Sequence, residues 1–368
     1  MVIGIDGSRA FIKNRTGIEE YSYQVIKSLR DKLGDHQVVL YVRKNQSIDF
    51  EVPKNWKICV IGWSRFWTQL GLSLELFLHP IGVLFVPAHT VPWIHPKKTI
   101  VTIHGLEYEI VPRAYSAWER FYMRWSIKSA CHWADNIVSV SKNTKHDLMR
   151  LYGISGDKIR VIYEGYDLEK AKIRNSNSEM NRKLQKLKPF LLFIGRLEER
   201  KNIIGIIEAF EILKEKHRLP HKLVLAGKGG YGFSNIQAVI KNSKYENDIT
   251  QLGFVRDVDK FKLISHADIF MFPTFYEGFG IPILEAQSVG VPVITSNISS
   301  MPEVAGESAL LADPRESWHI AEQAFSLMMD KKQRNDMIAR GYENVKQFSW
   351  DKCSQSLADL ITKNESTK

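Results

Sequence analysis

Residues Pro273 to Ser296 read PTFYEGFGIPILEAQSVGVPVITS and set two carboxylates, Glu277 and Glu285, eight positions apart across one strand-to-helix junction. Gly278 and Gly280 let the backbone approach a ligand closely, and Pro282 suits the first turn of a helix, where N–H groups have no intrahelical partner. Gly290 then ends that helix, and Pro292 leads into the next strand. This spacing places Glu277 in the loop ahead of the helix and Glu285 about one turn inside it. One carboxylate can then face the reacting end of a ligand while the other grips hydroxyls further back. The plainer reading makes Glu277 a helix cap and Glu285 a solvated helical residue.

The chain has 368 residues, enough for two domains of ordinary size, and 44% of them are hydrophobic, enough for two cores. Its three cysteines, Cys59, Cys131 and Cys353, are scattered without metal-ligand spacing and read as free thiols in a reducing compartment. The N-terminal MVIGIDGSRAFIKNRTG carries Asp6 and Arg9 where a secretory leader needs an apolar core, so cytoplasmic synthesis is expected. The most apolar stretch, Phe66 to Pro87, is broken by Glu75, His79 and Pro80, which argues against a transmembrane span.

Charge is unevenly shared. Residues 1–185 hold 27 Lys and Arg against 18 Asp and Glu, and the remainder 24 against 23, so nearly all of the net +10 lies in the first half. Seven of the nine tryptophans lie there too. Basic residues mixed with aromatic ones suit nucleic acid, an anionic membrane face, or an acceptor carried on a lipid phosphate. No helix-turn-helix, zinc-finger or aromatic RNA-binding pattern accompanies them, which sets nucleic acid aside.

Short β-branched runs alternate with helical stretches, the pattern of parallel α/β units. Strands are expected at Val2–Asp6, Gln37–Val42, Lys57–Gly62, Val83–Pro87, Thr99–His104 and Asn136–Ser141, with helices over Glu19–Leu33, Trp118–Ala134 and Lys142–Tyr152. A second series is expected at Phe190–Ile194, Lys222–Ala226, Ile249–Leu252, Ile269–Phe272, Val293–Thr295 and Ala309–Leu311. The polar run between them implies domains at 1–167 and 188–349, a linker at 168–187, and a closing helix at 350–368. In FIGRLEERKNIIGIIEAF, Arg196 follows a strand end at once and Lys201 with Asn202 opens a helix, which suits a diphosphate clamp. The alternative is a pair of surface charges beside Glu198, Glu199 and Glu208. LVLAGKGGYG and ITQLGFVRDV add loops at two further strand ends, and for Phe254 burial in the core is expected. Ser141 reads as an ordinary helix N-cap and Trp350 as packing.

The E-x7-E of Glu277 and Glu285, with GFVRDVDKFKLISHADIFMFPT before it and NISSMPEVAGESALLADP after it, resembles the retaining glycosyltransferases of family GT4. The resemblance implies the α/β GT-B fold, two Rossmann-like domains facing across a cleft. It implies that Arg196 and Lys201 hold a donor diphosphate as the family's R-x4-K pair, and that Glu277 positions the sugar with the backbone of Gly278, Phe279, Gly280 and Ile281. Glu285 would accept from a ribose diol, the turn at Val255 would meet the base, and Gly17 in NRTGIEEY would approach the phosphate. Arg15 beside it could touch donor or acceptor. His104 resembles the family histidine that reaches the donor sugar, although Gly105 stands where the family has Asp. The implied catalytic set is Glu277, His104, Arg196 and Lys201, without a metal or other cofactor.

The T-G-I, G-R-L-E-x-R-K-N and Y-E-G-F-G-I-P strings most resemble bacterial polysaccharide mannosyltransferases. That points to GDP-mannose as donor and to a saccharide acceptor, lipid-linked at the inner face of the cell membrane. A nucleotide-sugar 2-epimerase of the same fold, or a sugar-nucleotide-binding scaffold without catalysis, are the alternatives.

Overall fold

The computed structural model describes residues 1–13, 15–171 and 178–363. The chain divides into two compact units, Met1–Gly165 with Phe348–Lys368, and Tyr166–Gln347.

The first unit is built on strands β1 (Val2–Asp6), β2 (Gln37–Arg43), β3 (Trp56–Ile61), β4 (Val83–Val86), β5 (Lys98–Ile103), β6 (Asn136–Ser139) and β7 (Ile159–Val161). They pair in the order β3-β2-β1-β4-β5-β6-β7, every neighbour parallel. Central strands of such a sheet are covered on both faces, which is why VLFV of β4 is apolar throughout and wholly buried. At the edge, β3 is covered only at its ends, Trp56 and Ile61, and leaves Ile58 and Val60 exposed. Two elements here were not anticipated. Strand β7 is only three residues long and follows the polar SGDK. The apolar stretch from Phe66 folds as a π-helical turn, Trp67–Leu72, running into the helix Ser73–Leu78. Trp67 anchors it, buried with its indole N–H donating to Ile61 O at 3.3 Å.

The helix Trp350–Thr362 completes this unit. Lys98 Nζ donates to Ile361 O at 2.8 Å, and Lys32 pairs with Asp351 at 2.6 Å. Trp350 lies against Gly165 so closely that a Cβ there would sit 2.4 Å from the Trp350 backbone N, and its ring meets Tyr21 edge-on. Trp350 therefore packs.

The second unit carries β8 (Phe190–Ile194), β9 (Lys222–Ala226), β10 (Ile249–Gly253), β11 (Ile269–Phe272), β12 (Val293–Ser296) and β13 (Ala309–Ala312). The order is β10-β9-β8-β11-β12-β13, again all parallel. Counted within its unit, the second sheet follows the doubly wound order 3-2-1-4-5-6 and the first extends it by a seventh strand, so the direction of winding reverses once, between β1 and β4 in one and between β8 and β11 in the other. Crevices for ligands open at the carboxyl ends of strands at such reversals.

The expected linker is only partly a linker. Residues 172–177 of it lie outside the described residues, but Ser178–Leu187 is a helix with Leu184 and Leu187 buried. Its high polar content hid two leucines at helical spacing.

Candidate active site

The reversal between β8 and β11 brings together the two loops that carry most of the expected chemistry. The loop after β8 supplies Arg196 to Asn202, and the loop after β11 supplies Pro273 to Gly280. Asn202 fastens them: its side-chain amide donates to Pro273 O at 3.0 Å and to Pro314 O at 2.7 Å, reaching the loop after β13 as well. Asn202 adopts φ 59° to do so, a left-handed conformation that disfavours a residue with a Cβ by about 1–2 kcal/mol.

Glu277 sits at the join. Its Oε1 receives Lys201 Nζ and Arg200 Nη1 at 3.1 Å, and Thr274 Oγ1 lies 3.3 Å away. Among the described residues no donor is found for Oε2. The Glu277 backbone is held by Ser299, which accepts from its N–H at 3.0 Å and donates to its carbonyl at 2.8 Å, and by Ser300, which donates to the same carbonyl at 2.9 Å. Burial pushes the Glu277 carboxyl up, but Lys201 and Arg200 outweigh burial and hold it below the usual carboxylate range. Glu277 is thus an oriented, ionised group with one oxygen pinned by protein donors. It does not cap the helix that follows.

That helix spans Ile281–Ser288 and starts after Gly280, whose φ is 121° and which lies so close to Met301 that a Cβ would meet its methyl carbon at 2.7 Å. Gly278 and Phe279 are buried, and Phe279 O accepts from Ser300 Oγ at 2.6 Å. Glu285 falls one turn along, as its spacing implies. It is not a solvated residue: Lys260 Nζ reaches its Oε1 at 2.6 Å, and its side chain is 12% exposed. Burial pulls the Lys260 ammonium down, but Glu285 and Asp257 outweigh it and hold the group above its ordinary value.

The loops after β8 and β9 are stitched by Leu197 N to Lys228 O at 2.9 Å and Gly230 N to Leu197 O at 2.9 Å. Gly227 must be glycine, since a Cβ would lie 1.7 Å from Gly195 O. Arg196 is exposed and lies over Gly230, its Cδ 2.7 Å from where a Cβ would be. No carboxylate among the described residues lies within ion-pair distance of Arg196 or Lys228. Phe254 departs from expectation. It is 66% exposed, turned outward after Gly253 at φ 64°, with Lys228 Nζ 5.0 Å from its ring centre. Val255 beside it is half-buried.

In the first unit, His104 directly follows β5 and is buried, with Nε2 donating to Pro87 O at 2.9 Å and Nδ1 3.2 Å from Glu164 Oε1. Both ring nitrogens are therefore engaged within the unit. Reaching a ligand requires one of these bonds to be given up. Gly17 begins the helix Gly17–Leu29, exposed, with nothing within 4 Å of where its Cβ would be. Arg15 is drawn to Glu20 at 3.0 Å and stacks 3.8 Å over the Tyr23 ring. Ser141 is the N-cap expected of it, accepting from Thr144 N at 3.0 Å.

Arg200, Lys260, Glu164, Ser299 and Ser300 take part in these arrangements without having been singled out from the sequence. Arg200 and Lys260 look like ordinary surface charges in a linear string, and their partners lie 77 and 25 positions away.

Two family models match most of the chain, glycosyltransferase family 4 over residues 15–170 and glycosyl transferases group 1 over residues 176–344. The chain is 33% identical over 262 residues to O-antigen chain mannosyltransferase B of Escherichia coli, spanning 70% of this chain and 68% of that protein. It is 24% identical over 354 residues to O-antigen chain mannosyltransferase RfbU of Salmonella typhimurium, spanning 91% and 95%. Among solved structures, Anabaena HepE in complex with UDP and glucose matches at a TM-score of 0.72 and 17% identity over 99% of both chains. WaaG, a glycosyltransferase involved in lipopolysaccharide biosynthesis, matches at 0.70 and 15% identity over 99% of this chain and 100% of that one. At such identities the structural likeness speaks for the fold, two parallel-sheet α/β domains of the GT-B type. With the family models and the 33% identical relative, it makes this chain a member of the group 1, family 4 glycosyltransferases.

Proposed function

We propose that the enzyme transfers a hexosyl group, mannosyl from GDP-mannose, to a hydroxyl of a saccharide acceptor in surface-polysaccharide synthesis, with retention at the anomeric carbon and without a metal. The observation that carries this reading is the ionised Glu277 at the β8/β11 reversal, shared by Lys201 and Arg200, with the exposed Arg196 on the same loop. The names of the mannosyltransferase relatives support the mannosyl group, and HepE with UDP and glucose supports a nucleotide-linked donor.

In the proposed step the bond from the anomeric carbon to the β-phosphate oxygen breaks as the acceptor oxygen bonds to that carbon from the same face, and the acceptor proton passes to the departing diphosphate. Charge grows on the diphosphate, so cations aimed at it give the largest benefit. Arg196 and Lys201 fill that part, with the backbone near Gly17 and the base edge near Val255 completing donor binding. Glu277 offers its unpinned oxygen to the sugar hydroxyls, with the backbone of Gly278, Phe279, Gly280 and Ile281 around it, and Glu285 takes the ribose diol. A carboxylate tied to the Arg200 guanidinium is a poor nucleophile, and Glu277 is given no covalent role. His104, turned by Glu164, is assigned to the sugar.

The acceptor is assigned to a lipid-linked saccharide at the inner face of the cell membrane. No helix among the described residues is long and apolar enough to cross a membrane. The helix Ala117–Trp133, however, turns Trp118, Phe121, Tyr122 and Trp125 outward on one face and its core side, Ser126, Ile127, Ala130 and Cys131, inward. Trp118 is 73% and Phe121 61% exposed, their rings stacked 5.8 Å apart. An aromatic stripe at helical spacing is usually core. Here it faces out, with Arg120, Arg124 and Lys128 beside it, as an interfacial helix requires.

Glu277→Ala is expected to abolish turnover while nearly preserving GDP affinity, whereas Glu285→Ala weakens GDP binding through lost charge-assisted hydrogen bonds of roughly 1.5–3 kcal/mol. Calorimetry with GDP and steady-state rates check this, and equal effects of both changes on affinity contradict the separate roles.

Transfer is expected to persist in EDTA, because Lys201 and Arg196 supply the charge a divalent ion would. Activity that vanishes in EDTA and returns with Mn²⁺ contradicts it.

Vesicle co-sedimentation is expected to show binding to anionic but not neutral lipid at low salt, released at high salt. Each basic residue contributes about 1 kcal/mol at such a surface, screened over roughly 8–10 Å. Equal binding to both lipids, or none, favours a soluble acceptor.

A further inference from the structure

We propose that Arg200 is a positioning residue for the transfer, a fixed cation that keeps the Glu277 carboxylate in place when Lys201 turns from it to the donor diphosphate. This rests on the reading of Glu277 as the sugar-facing carboxylate.

The two cations that share Glu277 Oε1 are held very differently. Arg200 is anchored on every side. Its Nη1 donates to Tyr276 O at 2.7 Å and to Glu277, its Nη2 donates to Glu198 Oε1 at 2.8 Å, and its backbone carbonyl accepts from Phe275 N and from Thr274 Oγ1, each at 3.0 Å. The loops after β8 and β11 are thus clamped through one residue. Among the described residues Lys201 has a single ion-pair partner, Glu277, and its ammonium ends a flexible four-carbon stem, with Nζ over the Phe272 ring 5.2 Å from the ring centre. A diphosphate arriving beside Arg196 competes with Glu277 for Lys201. Arg200 is less readily drawn away, since its guanidinium already donates to Tyr276 O, Glu277 and Glu198.

The consequence is a carboxylate that remains ionised and oriented in both states. The charged groups facing Glu277 are Lys201 and Arg200 from the loop after β8, with Glu198 behind Arg200. Thr274 faces it from its own loop, and Ser299 and Ser300 from the loop after β12, all uncharged. Once Lys201 is taken by phosphate, Arg200 is the cation left to oppose the burial of Glu277. Without Arg200 the carboxyl protonates at higher pH and its angle is no longer set.

The test compares Arg200→Ala, Arg200→Lys and Glu277→Gln in the full chain, with GDP-mannose as donor. Arg200→Ala is expected to lower kcat about 100-fold, the scale of a misplaced reacting group, with GDP affinity within about threefold of the parent. It is also expected to move the acid limb of the kcat profile to higher pH, since activity needs the ionised carboxylate and removing a cation raises its pKa. Arg200→Lys keeps the charge but loses the fork, so it returns the acid limb while recovering only part of the rate. An unmoved acid limb in Arg200→Ala, or GDP affinity lost in step with kcat, overturns the proposal in favour of a scaffold or a nucleotide ligand. Where Arg200→Ala does not fold, an acid limb shifted in Arg200→Lys as well, or an unchanged rate, overturns it. Glu277→Gln with full kcat overturns the reading of Glu277 itself, whatever Arg200 does.

Discussion

A largely buried carboxylate, its side chain 14% exposed, with two cations on one of its oxygens is the constraint around which the second unit is arranged. Taking such a group out of water is unfavourable unless its charge is matched and its lone pairs are filled, so the loops that supply the partners must be held in register. The molecule does this with backbone and side-chain bonds that cross from loop to loop: Asn202 to Pro273 and Pro314, Arg200 to Tyr276, and Ser299 and Ser300 to Glu277. Two of these residues, Asn202 and Ser299, hold left-handed backbone conformations, and both lie at this junction. Left-handed residues also occur elsewhere, at Asn45, Phe66 and Arg218, but these two fall beside the charged cluster.

The sheet supplies the place. Its winding reverses between β8 and β11, and only there do loops from two neighbouring strands diverge to opposite faces and leave a crevice. Arg200, Lys201 and Glu277 all come from the loops at that point. The exposed Arg196 and Lys228 lie on the loops after β8 and β9, so positive charge extends along the same edge of the sheet.

Much of this was legible in the sequence because it is local. Strands such as Phe190–Ile194, Lys222–Ala226 and Ile269–Phe272 are apolar runs bounded by Gly, Pro or charge, and they fold with the limits read from them. Glu277 and Glu285 fall on loop and helix because Gly280, Pro282 and Gly290 punctuate the chain. What the sequence concealed is long-range. Nothing near Arg200 marks it as a partner of a residue 77 positions on, and nothing near Lys260 ties it to Glu285. The helix Ser178–Leu187 is masked by its polar composition and β7 by its brevity, and Phe254 is exposed although a phenylalanine after a strand is more often core than surface. His104 was legible as a strand-end histidine, but its engagement with Pro87 and Glu164 depends on a contact 60 residues away.

In the proposed donor complex Lys201 exchanges Glu277 for the diphosphate while Arg200 keeps its grip. A crystal structure of the enzyme with GDP tests that claim most directly. It should show Lys201 Nζ within hydrogen-bonding distance of the β-phosphate, Arg196 on the same phosphate, and the Arg200–Glu277 pair intact. A diphosphate bound away from Arg196 and Lys201, or Lys201 still on Glu277 with the nucleotide in place, contradicts it.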